Sequence, residues 1–286
     1  MKIASYFDYY DWTIDKQLKL FNENGLNYFI LRRVNGLSFP NYLTKLNEIQ
    51  FKLRKVKIGF FDPLLDPIDL DNENTVEMLK KAVKYAKKVK TKNLVITLKP
   101  FTNETTYKEL KAYFKGIIKI TKRLKLFIKM DDDNKMFIYH KIANEIKSRK
   151  VKLIYNPAVV YIKNSSPISS YSLMHKKMGL FEVADTNADH EDILVGHGII
   201  DIKQLFRNLY IDRYQGLVTL NSNLDTVFKN FGVNLLEVEK KEKRENLTKY
   251  LETIHKMGYV TYDKENEVPF EDIINHQIKL LKIVFK

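Results

Sequence analysis

A carboxylate and an ammonium that face each other across a barrel mouth can carry out one simple reaction. The ammonium polarises a carbonyl while the carboxylate takes the proton from the adjacent carbon, which is enolisation without a metal. The candidates here are Glu182, in the run LFEVAD, and Lys129, in the run KLFIKM. The same two side chains, facing each other in a protein interior, are equally a buried pair that only neutralises itself. His197 stands between Gly196 and Gly198, in a turn where an imidazole can reach a ligand. The nearby DHED, residues 189–192, has metal-ligand residue types, and its polarity also suits a solvated loop. Near the N-terminus, SYFDYYDWT offers Tyr9 and Trp12 as rings that stack on the apolar face of a sugar. Packing beneath a helix is the alternative for those rings.

Composition narrows the setting. The chain has 286 residues, 44% hydrophobic and 29% charged, which is the balance of a folded chain rather than a disordered one. No apolar run approaches the ~20 residues of a membrane span. The opening MKIASYFDYYDWTIDK has acids where a signal peptide needs an apolar stretch, so the expected compartment is the cytoplasm. Cysteine is absent, which excludes disulfides, thiolate ligands and a cysteine nucleophile. The net charge of +14 raises the question of nucleic acid. Lys far outnumbers Arg, and segments such as KKAVKYAKKVKTK suggest lysines spread over solvated helix faces. On that reading nucleic acid is not an expected partner.

The elements that must position these residues alternate along the chain. Strand runs are MKIASYF, GLNYFILRR, VKIGFFD, NLVITL, KLFIKM, VKLIYN, LFEVAD and GLVTLN. Helix-length amphipathic segments lie between them, the clearest being TVEMLKKAVKYAKKV, with apolar residues at three-and-four spacing and Asn74 as its expected N-cap. After Leu224 the strongest helical segments are RENLTKYLETIHKM and FEDIINHQIKLLKIVF. Eight strands, each followed by a helix, predict an α/β fold of the (β/α)₈ barrel type, with its site at the C-terminal strand ends. No linker divides the chain, so one domain over residues 1–286 is expected. The first strand–helix turn lacks the glycines of a dinucleotide-binding fold.

EVADTN followed by GHGIID, then YQGLVTLN, resembles the xylose-isomerase-like TIM-barrel superfamily. That group includes hydroxypyruvate isomerase, tagatose 3-epimerase and, more distantly, endonuclease IV. The matching pieces look like a His-x-x-Asp strand end, a Gly-x-Gly-x-Ile-Asp loop and a Tyr-x-Gly-x-x-x-Leu-Glu strand. Such barrels typically hold a divalent metal with Glu, Asp, His and Glu on strands five to eight, and the metal grips a sugar's vicinal oxygens. The resemblance puts Lys129, Asn156, Glu182 and Asn221 in those four places, with Asp185 keeping the trailing acid of strand seven and Lys99 at the end of strand four. An ammonium cannot coordinate a metal, and an amide is a weak ligand beside a carboxylate. No cofactor is therefore expected, although Asp131, two residues beyond Lys129, could supply a carboxylate to the mouth.

The resemblance implies a sugar or sugar-phosphate isomerase or epimerase with a remodelled, metal-free site. Glu182, Lys129 and Asp185 would be its catalytic residues, and Asn156, Asn221, Lys99, His197, Tyr9 and Trp12 would bind substrate. A barrel that binds a carbohydrate without turnover and an endonuclease-like nucleic-acid protein are the alternatives. A homo-oligomer remains open.

Overall fold

The strand runs close on themselves. In the computed structural model, which describes residues 2–224 and 270–285, β1 (Lys2–Ser5), β2 (Tyr28–Leu31), β3 (Ile58–Phe61) and β4 (Asn93–Ile96) lie side by side in sequence order. They continue into β5 (Lys125–Ile128), β6 (Val151–Tyr155) and β7 (Met178–Val183). A short antiparallel pair follows, β8 (Asp185–Thr186) with β9 (Asp192–Ile193), outside the barrel sheet. The eighth barrel strand, β10 (Leu217–Leu220), pairs with both β7 and β1, so the parallel sheet is a closed eight-stranded barrel. The expected (β/α)₈ architecture is the one observed.

The connecting helices are α1 (Ile14–Glu23), α2 (Leu46–Leu53), α3 (Glu73–Lys88), α4 (Tyr107–Thr121) and α5 (Met136–Glu145). Two short helices, α6 (Pro157–Ile162) and α7 (Pro167–Met174), share the connection after β6. Then come α8 (Ile202–Ile211) and, closing the described chain, α9 (Phe270–Val284). Local chemistry sets their starts. Thr106 and Glu109 form a reciprocal capping box on α4, and the Asp201 side chain caps α8. One expected cap is corrected: α3 begins earlier than its apolar pattern, and Asn72, not Asn74, is its N-cap. The Asn72 side chain accepts from the Asn74 and Thr75 N–H groups. FEDIINHQIKLLKIVF forms α9, which docks on α1 through an Asn24–Asn275 side-chain hydrogen bond of 2.6 Å. RENLTKYLETIHKM lies outside the described residues. No helix among the described residues is long and apolar enough to cross a membrane.

Aromatic packing fixes which residues face the barrel axis. Phe7 and Phe29 pack on Phe21 of α1 with ring centroids 6.5 and 5.6 Å away, so Phe29 of β2 and Phe7, two residues past β1, face outward. Alternation then turns Tyr6 and Arg32 inward. On β7, Phe181 contacts Phe206 of α8, which turns Glu182 inward. On β6, Tyr155 packs against Tyr171 of α7, leaving Asn156 inward at the strand end. Thr219 is the register partner of Glu182, so Asn221, two residues on, shares the inward face. Near the other end of the barrel, Phe60 and Phe127 meet edge to face at 4.4 Å.

Candidate functional site at the C-terminal strand ends

The inward residues at the strand ends form a connected polar network rather than a set of free ligands. Glu182 is 2% exposed. Its Oε1 accepts the Ser222 N–H at 2.5 Å, and its Oε2 accepts the Asn156 amide at 3.2 Å. The carbonyl of Ser222 in turn accepts from Arg32 at 2.9 Å. Arg32 is forked onto Asp8 at 2.7 and 2.9 Å, both side chains being almost fully buried, and it lies over the Tyr6 ring at 4.5 Å. Burial alone would lower the Arg32 pKa, but the charge and hydrogen bonds of Asp8 outweigh it and raise it above its ordinary value. Tyr6 moves well above the usual phenol range, first through burial and then through the nearby Glu182 and Asp62 charges. The Asp62 Oδ2 is buried without a hydrogen-bond partner, while its Oδ1 accepts the Leu64 N–H.

Asn156 and Glu182, expected at the site, are brought into direct contact. Asn221 stands beside them: its amide donates to Asp192 Oδ1 at 3.4 Å, and its backbone carbonyl accepts from the Tyr9 hydroxyl at 2.8 Å. Burial pushes the Asp192 carboxyl above its ordinary value; the Asn221 amide pulls against that and the Glu182 charge adds to it. Tyr9 is buried and serves as a strut for the end of β10, not as an open stacking wall. Trp12 is half-buried, set edge-on to Tyr9 and covered by the Lys16 ammonium at 4.1 Å.

Other expected site residues are placed elsewhere. Lys129 follows β5 and is half-buried, and among the described residues it forms no ion pair with Glu182. The expected buried Lys129–Glu182 pair is therefore replaced by neutral donors on the carboxylate, and the buried pair of this mouth is Asp8–Arg32. Lys99 reaches sideways to Asp69 at 3.0 Å and Asp71 at 3.5 Å, and its hydrogen bond to Asp69 raises its pKa. Asp131 accepts from the backbone and side chain of Asn134, holding the turn before α5. Asp185 is fully buried, and its carboxylate accepts four backbone N–H groups, those of Thr186, Gly196, Gly198 and Ile200. Burial still leaves its carboxyl above the ordinary value. Its observed task is to fold the loop after β7. A Cβ on Gly198 would lie 2.1 Å from Asp185 Oδ1, so only glycine lets the backbone close over the carboxylate. His197 is exposed on that loop.

The Asp8–Arg32 pair and Asp62 were not among the sequence candidates. The signal was present: an arginine at the end of the apolar run YFIL, on the same face as Ile30, is a charge aimed into a barrel.

Three of the four places to which the sequence resemblance assigns metal ligands hold side chains that are poor donors to a divalent ion. The Asn156 side-chain oxygen is occupied by the Ala158 and Val159 N–H groups that it caps, and that of Asn221 by the Asn223 N–H. Lys129 has no lone pair to give when protonated. Among the described residues no cluster of three or more His, Cys, Asp or Glu side chains has the geometry to hold a metal.

No family model matches the chain, and no curated protein matches it in sequence. Solved structures match its fold. The probable 3-DHS dehydratase AsbF of Bacillus anthracis aligns with a TM-score of 0.62 at 12% identity, over 85% of this chain and 98% of that one. The IOLI protein with a bound zinc atom gives 0.63 at 16% identity, over 90% and 99%. The 3-keto-D-glucoside 4-epimerase YcjR from E. coli gives 0.57 at 15%, over 88% and 99%. The chain is thus a (β/α)₈ barrel of the xylose-isomerase-like fold. Likeness at these identities establishes the architecture, and function is argued from the site.

Proposed function

We propose that this barrel acts on a sugar or sugar-like polyol at its C-terminal strand mouth, as an isomerase- or epimerase-type enzyme whose proton carrier is Glu182 and whose site works without a divalent ion. The observation carrying the proposal is the setting of Glu182. Its carboxylate sits at an inward strand end, oriented by one neutral donor on each oxygen, with no cation paired to it among the described residues. A base held in this way is positioned yet not neutralised. It would take the proton from the carbon beside a sugar carbonyl, with the C–H electron pair moving into an enediolate. Glu182 would return that proton to the neighbouring carbon for isomerisation; for epimerisation Glu182 would keep it, and a second acid would supply its own proton to the opposite face. Lys129, which forms no ion pair among the described residues, is the candidate to polarise the carbonyl oxygen if it swings toward the mouth. Asn156 and the Ser222 backbone orient the base, while the Asp185 cage shapes the loop above it.

Binding without turnover is the second reading, favoured by the 2% exposure of Glu182, which leaves little of it open to a substrate. Solvent-deuterium exchange at the α-carbon of a panel of ketoses and ketose phosphates separates the two. Exchange by the wild type, lost in Glu182→Gln with the fold retained, supports the enzyme. Saturable ketose binding without exchange would establish the binding barrel in its place.

A further inference from the structure

The opposite face of the barrel carries a charge pattern that the sugar site does not use. Helices run antiparallel to the strands, so helix C-termini and strand N-termini share this face, where two cavities open. One, of about 680 Å³, is bordered by Lys2, Lys125, Lys152, Lys176 and Arg213, with Asp212 its sole acid. The other, of about 400 Å³, is bordered by Arg54, Lys55, Lys57, Lys88 and Lys90 and by no acid. They meet where the Lys57 ammonium reaches the Tyr28 hydroxyl at 3.3 Å and covers its ring at 4.8 Å. The ten cations therefore line one continuous trough.

Complementing the negative ends of helices is the ordinary task of cations on such a face. Lys147, Lys150 and Lys177 do this directly, donating to the carbonyls of Asn144, Lys122 and Ser148 at 2.6–2.7 Å. The ten trough cations make no such bond to a carbonyl, and among the described residues none is paired with an acid. Asp212 is already engaged by the Tyr171 hydroxyl at 2.8 Å. At Lys152 burial, and then the neighbouring Lys125, disfavour the charged form and lower its pKa. An anion in the trough would offset that cost.

Two exposed aromatic side chains lie on α2 and α8, the helices whose C-terminal ends border the trough. Phe51, beside Gln50 of the smaller cavity, is 66% exposed, and Tyr210, two residues before Asp212, is 79% exposed. A basic groove with open aromatic side chains on its bordering helices suits a strand whose phosphates follow the cations while its bases stack. A duplex hides its bases, and a small anion makes no use of the rings.

We propose that the N-terminal face of the barrel is a docking surface for single-stranded nucleic acid, with the lysine- and arginine-lined trough following the backbone and Phe51 and Tyr210 stacking on bases. The lysines of this chain are therefore not only the solvated helix faces that the sequence pattern suggests.

The test is fluorescence anisotropy with a labelled oligouridylate of about twenty nucleotides and the full chain, titrated at several salt concentrations. Binding should weaken steeply with salt, and a duplex of equal length should bind more weakly. The Lys57→Gln, Lys125→Gln, Lys152→Gln triple variant should lose at least tenfold in affinity and flatten the salt dependence. The Phe51→Ala, Tyr210→Ala double variant should lose several-fold on the oligonucleotide and nothing on inorganic tripolyphosphate. A control triple variant on helix surfaces, Lys80→Gln, Lys84→Gln, Lys108→Gln, should stay within about twofold of wild type. Equal loss in the control would overturn the proposal, since net charge alone would then account for binding. Lysine-dependent binding with no loss in the aromatic variant would also overturn it, in favour of a small or generic polyanion. Absence of oligonucleotide binding at low salt would end it.

Discussion

The two ends of this barrel handle charge in opposite ways. At the C-terminal strand ends, buried charge is held: Arg32 by Asp8, Asp185 by four backbone amides, Glu182 by an amide and a backbone N–H. At the N-terminal ends, cations gather with a single acid among them. The difference follows from what each end does with water. A buried charge without partners loses several kcal/mol of solvation, so the polar mouth is a network in which most charges are answered internally. Cations at an open rim, apart from the half-buried Lys152, keep their hydration and can wait for an external partner. Organised, water-excluding charge suits chemistry on a small molecule, and open charge suits recognition of a polyanion.

The contrast is broken most directly at Arg32. Arg32→Met leaves Asp8 buried and unpaired, and should destabilise the fold by ~3–5 kcal/mol in denaturant unfolding. Adding Asp8→Leu should restore much of that loss. A single variant within ~1 kcal/mol of wild type would show that the mouth is wetter than described here.

A smaller effect is expected in the loop after β7. Gly198→Ala places a methyl against the Asp185 carboxylate and the Thr186 carbonyl, so the amide cage must open. The expected loss is ~1–3 kcal/mol, the range for stranding a buried polar group. Hydrogen exchange of the Gly196 and Ile200 amides should accelerate with it. Unchanged protection of those amides would mean that Asp185 does not organise the loop.

The smallest effect belongs to the basic rim and reverses the usual sign. The Lys152 pKa is lowered in the folded state from its ordinary 10.5. Its charged form is thus disfavoured by folding at neutral pH, and that penalty fades as pH rises through the folded value toward 10.5. Lys152→Gln should accordingly be slightly more stable than wild type at pH 7 and low salt, with the gain disappearing near pH 10.5. A destabilised variant at pH 7 would show that Lys152 has a favourable partner that outweighs its burial and the Lys125 charge.

Much of this was legible in the chain itself, because strand parity and spacing are local. The eight apolar runs, the EVADTN–GHGIID pair and the YQGLVTLN strand were enough to predict the barrel and to bring Asn156, Glu182 and Asn221 to one mouth. What the sequence could not show were partnerships between strand ends. Nothing near Arg32 marks Asp8, 24 residues earlier, as its partner. Nothing near Lys129 reveals that Glu182 is already held by a backbone amide forty positions away. The basic rim was hidden for a similar reason. Its lysines fall in short runs such as RKVK, KKVKTK and KSRKVK, each of which reads as solvated surface until the barrel closes and gathers them on one face.

The proposal that the mouth moves a proton through Glu182 without a metal rests on the two amides and the ammonium that stand in places to which the sequence resemblance assigns ligands. Its most direct test is the rate of solvent-deuterium exchange into a ketose after exhaustive chelation, and again with Mn²⁺ restored, in wild type and Glu182→Gln. The account predicts a wild-type rate that neither chelator nor Mn²⁺ alters, and no exchange in the variant. Exchange that stops on chelation and returns with Mn²⁺ would contradict it.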